Sequence, residues 1–99
     1  MLWHEKAVEN LEKIRRYIEN TSFSVEAADS ILGEIFRLAQ ELVVLPSRCP
    51  VAKENPALRR LAVGDYNAYY HVTREQKLVQ LVAVKHKTAD ISRHIGPVH

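Results

Sequence analysis

The chain reads as an α+β domain: a short first strand, an αα-hairpin, a three-stranded antiparallel meander and a short C-terminal helical turn. Three observations predict it. Two apolar stripes with a spacing of three and four residues are joined by the short polar connector Asn20–Ser24. The stretch from Leu58 to His86, LRRLAVGDYNAYYHVTREQKLVQLVAVKH, holds three strand-like runs cut by two turn signals. And 99 residues suffice for one core, a chain of that size burying roughly 60–70% of its unfolded surface. We therefore expect residues 1–99 to form a single domain.

Taken in order, Met1–Trp3 is short and apolar and suits a clipped edge or inner strand. The first helix is expected over His4–Asn20. Ala7, Leu11, Ile14 and Ile18 form its stripe, and Val8 and Tyr17 widen it. Glu5, Glu9 and Glu12 lie toward its start and Arg15 and Arg16 toward its end, in the sense that complements the helix dipole. The i, i+4 spacing of Glu9 with Lys13 and of Glu12 with Arg16 marks a solvated face. Ser24 is an N-cap candidate for a second helix from Val25 to Leu45, which Pro46 stops. Its stripe is Ala28, Ile31, Leu32, Ile35, Leu38, Ala39 and Leu42. Gly33 interrupts it, and only a close helix–helix approach would explain that glycine.

Pro46–Pro56 holds three of the four prolines and the lone Cys49, and is a loop. In the meander, Gly64-Asp65 suits a type II′ hairpin, which needs positive φ at its first loop position. From Asp65 to Thr73 the residues alternate. Tyr66, Ala68, Tyr70 and Val72 fall on one side, and Asn67, Tyr69, His71 and Thr73 on the other, which we expect to be partly open. Leu78–Val84 is almost wholly apolar, as befits a central strand covered on both faces. Thr88–Ile95 suits one or two helical turns, ended by Gly96-Pro97.

Composition excludes several classes. Apolar content of 46% is too high for disorder. No apolar run approaches the ~20 residues that span a bilayer. The start lacks a basic segment followed by an apolar stretch, so no signal peptide is expected. One cysteine forms no internal disulfide, which fits a cytoplasmic location. Residues 1–52 carry six Lys/Arg against eight Asp/Glu, and residues 53–99 carry eight against four. The meander half is therefore the positive one and suits an anionic or acidic partner, although a total of +2 is small for a dedicated nucleic-acid binder.

No phosphate loop, GxGxxG, CxxC, HExxH or GxSxG is present, and the histidines are too scattered to suggest a metal site. We expect no cofactor. What remains is a polar cluster on the meander: Arg59 and Arg60 in the first run, Asn67, Tyr69 and His71 in the second, and Lys85, His86 and Lys87 closing the third. Arginine, lysine and histidine together are the groups with which a metal-free ribonuclease binds a phosphodiester, stabilises charge and moves protons. Spacing alone fits a solvated face, or the seat of another chain, better.

The order of these segments resembles the RelE/ParE superfamily of bacterial toxins. The resemblance rests on AVENLEKIRRYI, on a second helix ending LVVLP, on LRRLAVGDYNAYYHV, and on LVQLVAVKHKTAD. It implies a twisted, mostly antiparallel sheet backed by the helical hairpin, and a type II toxin neutralised by a small cognate antitoxin. It also implies one of two activities. RelE-like members cut mRNA on the ribosome; ParE-like members poison DNA gyrase. The RelE-like pattern has arginines where this chain has Asn67 and Lys87, and a C-terminal tyrosine where it has Ile91 and Arg93. These departures favour the ParE-like reading, a non-enzymatic gyrase inhibitor whose partner contacts we expect at Asn67, Tyr69, Lys85, His86, Lys87, Asp90 and Arg93. The alternative is a metal-independent ribonuclease acting on ribosome and mRNA, with His71 or His86 as acid–base and Arg59, Arg60 or Lys87 on the phosphate. A third class is an interaction module without toxic activity.

Overall fold

The computed structural model describes residues 1–73 and 78–88. Its elements are β1 (Leu2–Trp3), α1 (Glu5–Ser22), α2 (Val25–Val44), β2 (Arg59–Val63), β3 (Tyr66–Val72) and β4 (Val79–His86). The strands form one sheet in the order β1-β4-β3-β2. The meander is antiparallel, and β1 joins it as an edge strand parallel to β4, with Leu2 opposite Gln80 and Trp3 opposite Leu81. The C-terminal helical turn expected from Thr88 onward falls almost wholly outside the described residues.

Each boundary has a local cause. His4 caps α1, its Nδ1 accepting from the Lys6 N–H at 3.1 Å, and Ser24 caps α2 by accepting from the Ala27 N–H at 3.1 Å. The first helix outruns its expected end by two residues. Ser22 Oγ donates back to the Ile18 carbonyl, and Phe23 closes the helix in the left-handed region at φ 55°. The extra residues leave the last turn of α1 without a basic side chain, so Arg15 and Arg16 lie too far in to complement the dipole there. Of the two pairs expected along α1, only Glu12–Arg16 comes within range, at 4.0 Å. Arg15 instead reaches across to Asp29 of α2 at 2.7 Å.

The main core lies between the helical hairpin and one sheet face. Ala7, Leu11 and Ile14 of α1 and Leu32, Ile35, Ala39 and Leu42 of α2 pack on Leu61, Val63, Tyr66, Ala68, Tyr70, Val79, Leu81 and Val84. Val8 and Tyr17, expected to widen the α1 stripe, are instead exposed, because the helix rotates Asn10 into the buried face. Asn10 is the residue the apolar periodicity passed over. Its Oδ1 accepts from the Val84 N–H at 3.0 Å, on the edge of β4 that β1 leaves unpaired.

The second sheet face is less open than alternation predicts. Tyr69, Val82 and Ala83 pack with Ala52 and Leu58 in a separate small core. The chain before β2 folds back along it: Val51 bridges to Arg59, and Ala52 N–H donates to Leu58 O at 2.8 Å. A register shift between Tyr69 and Tyr70 makes room for this core. Ala83 pairs with Tyr69 and Leu81 with Tyr70, so Val82 is the extra residue of a β-bulge and shares the second face with Ala83.

The turns agree with their sequence signals. Gly64 has φ 56° while Asp65 does not have positive φ, as a type II′ turn demands. Thr73 and Leu78 close the second hairpin through Thr73 N–H to Leu78 O at 2.9 Å and Leu78 N–H to Thr73 Oγ1 at 3.0 Å.

Two predictions concern stability. A Cβ at Gly33 would meet nothing within 4 Å, and the residue is exposed. Close helix packing does not explain it, and Gly33→Ala should therefore stabilise the protein by about 1 kcal/mol, the helix-propensity difference. Chemical denaturation checks this. The second concerns Tyr70, whose hydroxyl donates to the Pro46 carbonyl at 2.9 Å. Burial holds its phenol above the usual tyrosine range, as it does for Tyr66 and Tyr69. A raised folded-state value favours the neutral phenol, so this contribution is full below pH ~10 and fades as pH climbs through the folded-state values. Tyr70→Phe should cost about 1 kcal/mol near neutral pH by leaving the carbonyl without its donor. It should also fall off less steeply than wild type above pH ~10, seen in paired denaturation series.

Candidate functional site

Polar groups gather at the two opposite ends of the sheet. At one end, the chain after α2 and the ends of β2 and β3 enclose a cleft of ≈ 890 Å³ lined by residues that include Arg48, Arg59, His71 and Thr73. Arg59 and His71 meet here, and each is anchored through one nitrogen. Arg59 Nη1 donates to the Cys49 carbonyl at 2.6 Å, and the His71 ring Nδ1 lies 3.3 Å from the Ala57 carbonyl, which makes that nitrogen the donor. Arg48 is paired with Glu41. Cys49 is a buried thiol behind this cleft, not an exposed nucleophile. Arg60, paired in register with Tyr69, falls on the other face from Arg59.

At the other end stand Lys85, His86 and Lys87. His86 lies opposite Tyr66, the two rings edge-on with centroids 5.5 Å apart. The Thr88 backbone N–H points at His86 Nδ1 at 3.3 Å and the Thr88 hydroxyl lies 2.9 Å from the same atom. A backbone N–H only donates, so Nδ1 is the acceptor and the proton of the neutral ring sits on Nε2. Lys87 turns toward the hairpin, its Nζ 3.2 Å from Asp65 Oδ1 and its N–H donating to the Asp65 carbonyl at 2.8 Å. Lys85 faces α1, and burial together with Lys13 and Lys6 lowers its ammonium below the ordinary lysine range.

The expected ribonuclease set is thereby divided. His86 is opposite Tyr66, the start of β3, and His71 is five residues further along that strand, roughly 17 Å at the rise of an extended chain. Arg59 and His71 occupy one end, His86 and Lys87 the other. No single phosphodiester touches both groups.

The expected partner surface is divided too. Lys85, His86 and Lys87 stand together at the end of β4. Asn67 and Tyr69, expected on an open face, are instead 8% and 2% exposed. The Ala52–Leu58 cover encloses Tyr69, and the Asn67 amide lies 3.5 Å from the Tyr69 hydroxyl. Asp90 and Arg93 lie outside the described residues. The sequence reading missed Asn10, although a carboxamide three residues after Ala7 and four before Ile14, inside an apolar stripe, was the available signal. Among the described residues, no three His, Cys, Asp or Glu side chains converge as metal ligands, and no helix is long and apolar enough to cross a membrane.

Comparison with known proteins agrees with this architecture. No curated protein matches the chain. Among solved structures, a chain described as the chromosomal ParDE TA system from P. aeruginosa is similar with a TM-score of 0.71 at 19% identity, over 85% of this chain and 90% of that one. At that identity the likeness establishes the fold. The family model for the ParE toxin of the type II toxin–antitoxin system, parDE, matches residues 1–91. The four-stranded sheet, its helical hairpin and this match together assign the chain to the ParE toxin family of type II toxin–antitoxin systems.

Proposed function

We propose that the protein is a non-enzymatic toxin that acts in the cytoplasm by inhibiting DNA gyrase, and that a cognate antitoxin neutralises it. Membership of the ParE family supports this reading. The observation that carries it is the division of the histidines and basic residues between two ends of the sheet, with Arg59, His86 and Lys87 engaged by protein partners. Arg59 is tied to the Cys49 carbonyl, His86 Nδ1 to Thr88 and Lys87 to Asp65. His71, whose Nδ1 donates to the Ala57 carbonyl, keeps a lone pair on Nε2, but a ribonuclease also needs cations on the same phosphate, and the neighbouring Arg59 and Arg48 are engaged by the Cys49 carbonyl and by Glu41. A toxin that works by occupying a protein target needs neither a base nor such cations. The antitoxin and gyrase are the partners proposed for it, and the Lys85–Lys87 end is the surface proposed to meet gyrase.

The test pairs two assays on the purified protein. In the first, gyrase supercoiling and trapped cleavage complexes are followed as the protein is added. In the second, primer extension maps cuts in a translated message. We expect loss of supercoiling with no codon-phased cuts, and a His71→Ala variant, remote from the Lys85–Lys87 end, that keeps full inhibition of gyrase. Unchanged gyrase at large molar excess would overturn the proposal. Codon-phased cutting abolished by His71→Ala or His86→Ala would establish the ribonuclease instead.

A further inference from the structure

The seam between α1 and the end of β4 is a second pocket, ≈ 440 Å³ in volume. Its walls come from Lys13 and Tyr17 of α1, Lys85 and His86 of β4, and Tyr66 of β3, with Asn10 at the joint. The helical wall is periodic. Lys6, Asn10, Lys13 and Tyr17 follow one another at four, three and four residues, a single stripe turned toward β4. That stripe brings the ammonium groups of Lys6 and Lys13 close enough to act on Lys85.

Three features set this pocket apart from an ordinary solvated face. First, among the described residues none of Lys6, Lys13 and Lys85 has a carboxylate within 4.0 Å, although Glu9 is spaced to pair with Lys13. Like charges are thus gathered where the fold supplies no counter-charge. Second, the polar groups lining the pocket are suited to donate. The Asn10 carbonyl oxygen is consumed by Val84, which leaves its NH₂ as the remaining group of a side chain that is 5% exposed. His86 keeps its proton on Nε2, and burial keeps the Tyr66 phenol protonated. Third, aromatic surface lies beside the charges. Tyr17 is 63% exposed, and Tyr66 forms part of the lining.

Donors without a matching carboxylate call for an oxyanion. Flat rings beside cations suit a nucleobase stacked next to its phosphate, and the volume lies in the range of small-ligand sites. We infer that this pocket binds a nucleotide phosphate, with Lys13 and Lys85 clasping the oxyanion and Tyr17 offering its ring to the base. The nucleotide is either free or part of a single strand, since the chemistry is the same. The pocket shares Lys85 and His86 with the end of β4 proposed above to meet gyrase, but its test does not use gyrase.

Calorimetric titration of the full chain at a fixed ionic strength of about 0.15 M, where the Debye length is about 8 Å, tests it, using ADP, a short single-stranded oligothymidylate and an oligoglutamate peptide as probes. The Lys13→Gln/Lys85→Gln protein is compared with Arg37→Gln/Lys53→Gln, which removes as much charge away from the pocket lining. ADP should bind, and the pocket variant should weaken it by about tenfold or more, as expected when charge-assisted bonds are lost. The control should stay within about twofold of wild type, distant surface charges being largely screened. Thermal unfolding of the pocket variant should occur at or above the wild-type temperature, because a repulsion is removed. An oligothymidylate much tighter than ADP identifies a strand as the ligand, and equal affinities identify a free nucleotide. Failure of both to bind at millimolar concentration, equal weakening in the two variants, or oligoglutamate binding as tightly as ADP would overturn the inference.

Discussion

A single hydrogen bond, from the Val84 N–H of β4 to Asn10 Oδ1 of α1, fixes how the two layers meet. β1 spans only two residues, so it covers the outer edge of β4 at Gln80 and Leu81 and no further. Beyond that point the edge would present bare backbone groups, an open template for another strand. Asn10 satisfies one of those groups from a helix, and a buried carboxamide is stable only because it does so. The bond also agrees with the rotation of α1 that its apolar stripe requires. With Asn10 turned inward, Ala7, Leu11 and Ile14 reach the core, Tyr17 turns outward, and Lys6 and Lys13 stand against Lys85. Core packing and surface chemistry thus follow from the same rotation.

The sheet has two polar ends, and its middle is shut. The extra residue Val82 lets β4 send two neighbouring side chains to one face, and with Tyr69, Ala52 and Leu58 they seal what would otherwise be a broad open surface. A surface sealed by apolar packing is a poor place for catalysis or docking, so chemistry and recognition are pushed outward. At the β2–β3 end the cations are spent on holding the proline-rich segment, Arg59 through the Cys49 carbonyl and Arg48 through Glu41. At the β4 end Lys85 and its neighbours on α1 have no such partner among the described residues. This asymmetry supports the binding role proposed above for the β4 end.

Much of this was legible in the chain itself. Both helices, the N-cap at Ser24, the type II′ turn at Gly64 and the central place of β4 follow from local rules, because caps, turns and periodicity are decided within a few residues. What escaped depends on distant partners. Alternation put Asn67 and Tyr69 on an open face, but parity says only which side a residue faces, and the cover arrives from residues 50–58 by pairing with β2. A bulge breaks parity altogether, so Val82 could not be assigned by counting. Asn10 was hidden because a polar residue in a stripe declares itself only when its acceptor, 74 positions away, is known. For the site, the chain itself names the polar residues of the meander, but it does not say which of them meet in space. Strands running antiparallel put His71 and His86 at opposite ends.

The most direct measurement of the central claim is amide hydrogen exchange at Val84. If Asn10 seals the edge of β4, the Val84 amide exchanges as slowly as the core amides of β3 and β4, though no strand lies beside it. In Asn10→Ala that one amide should lose protection selectively while the amides shared between β3 and β4 keep theirs. Rapid exchange at Val84 in the wild-type protein, or protection unchanged in Asn10→Ala, would contradict the claim that this bond joins the helical hairpin to the sheet.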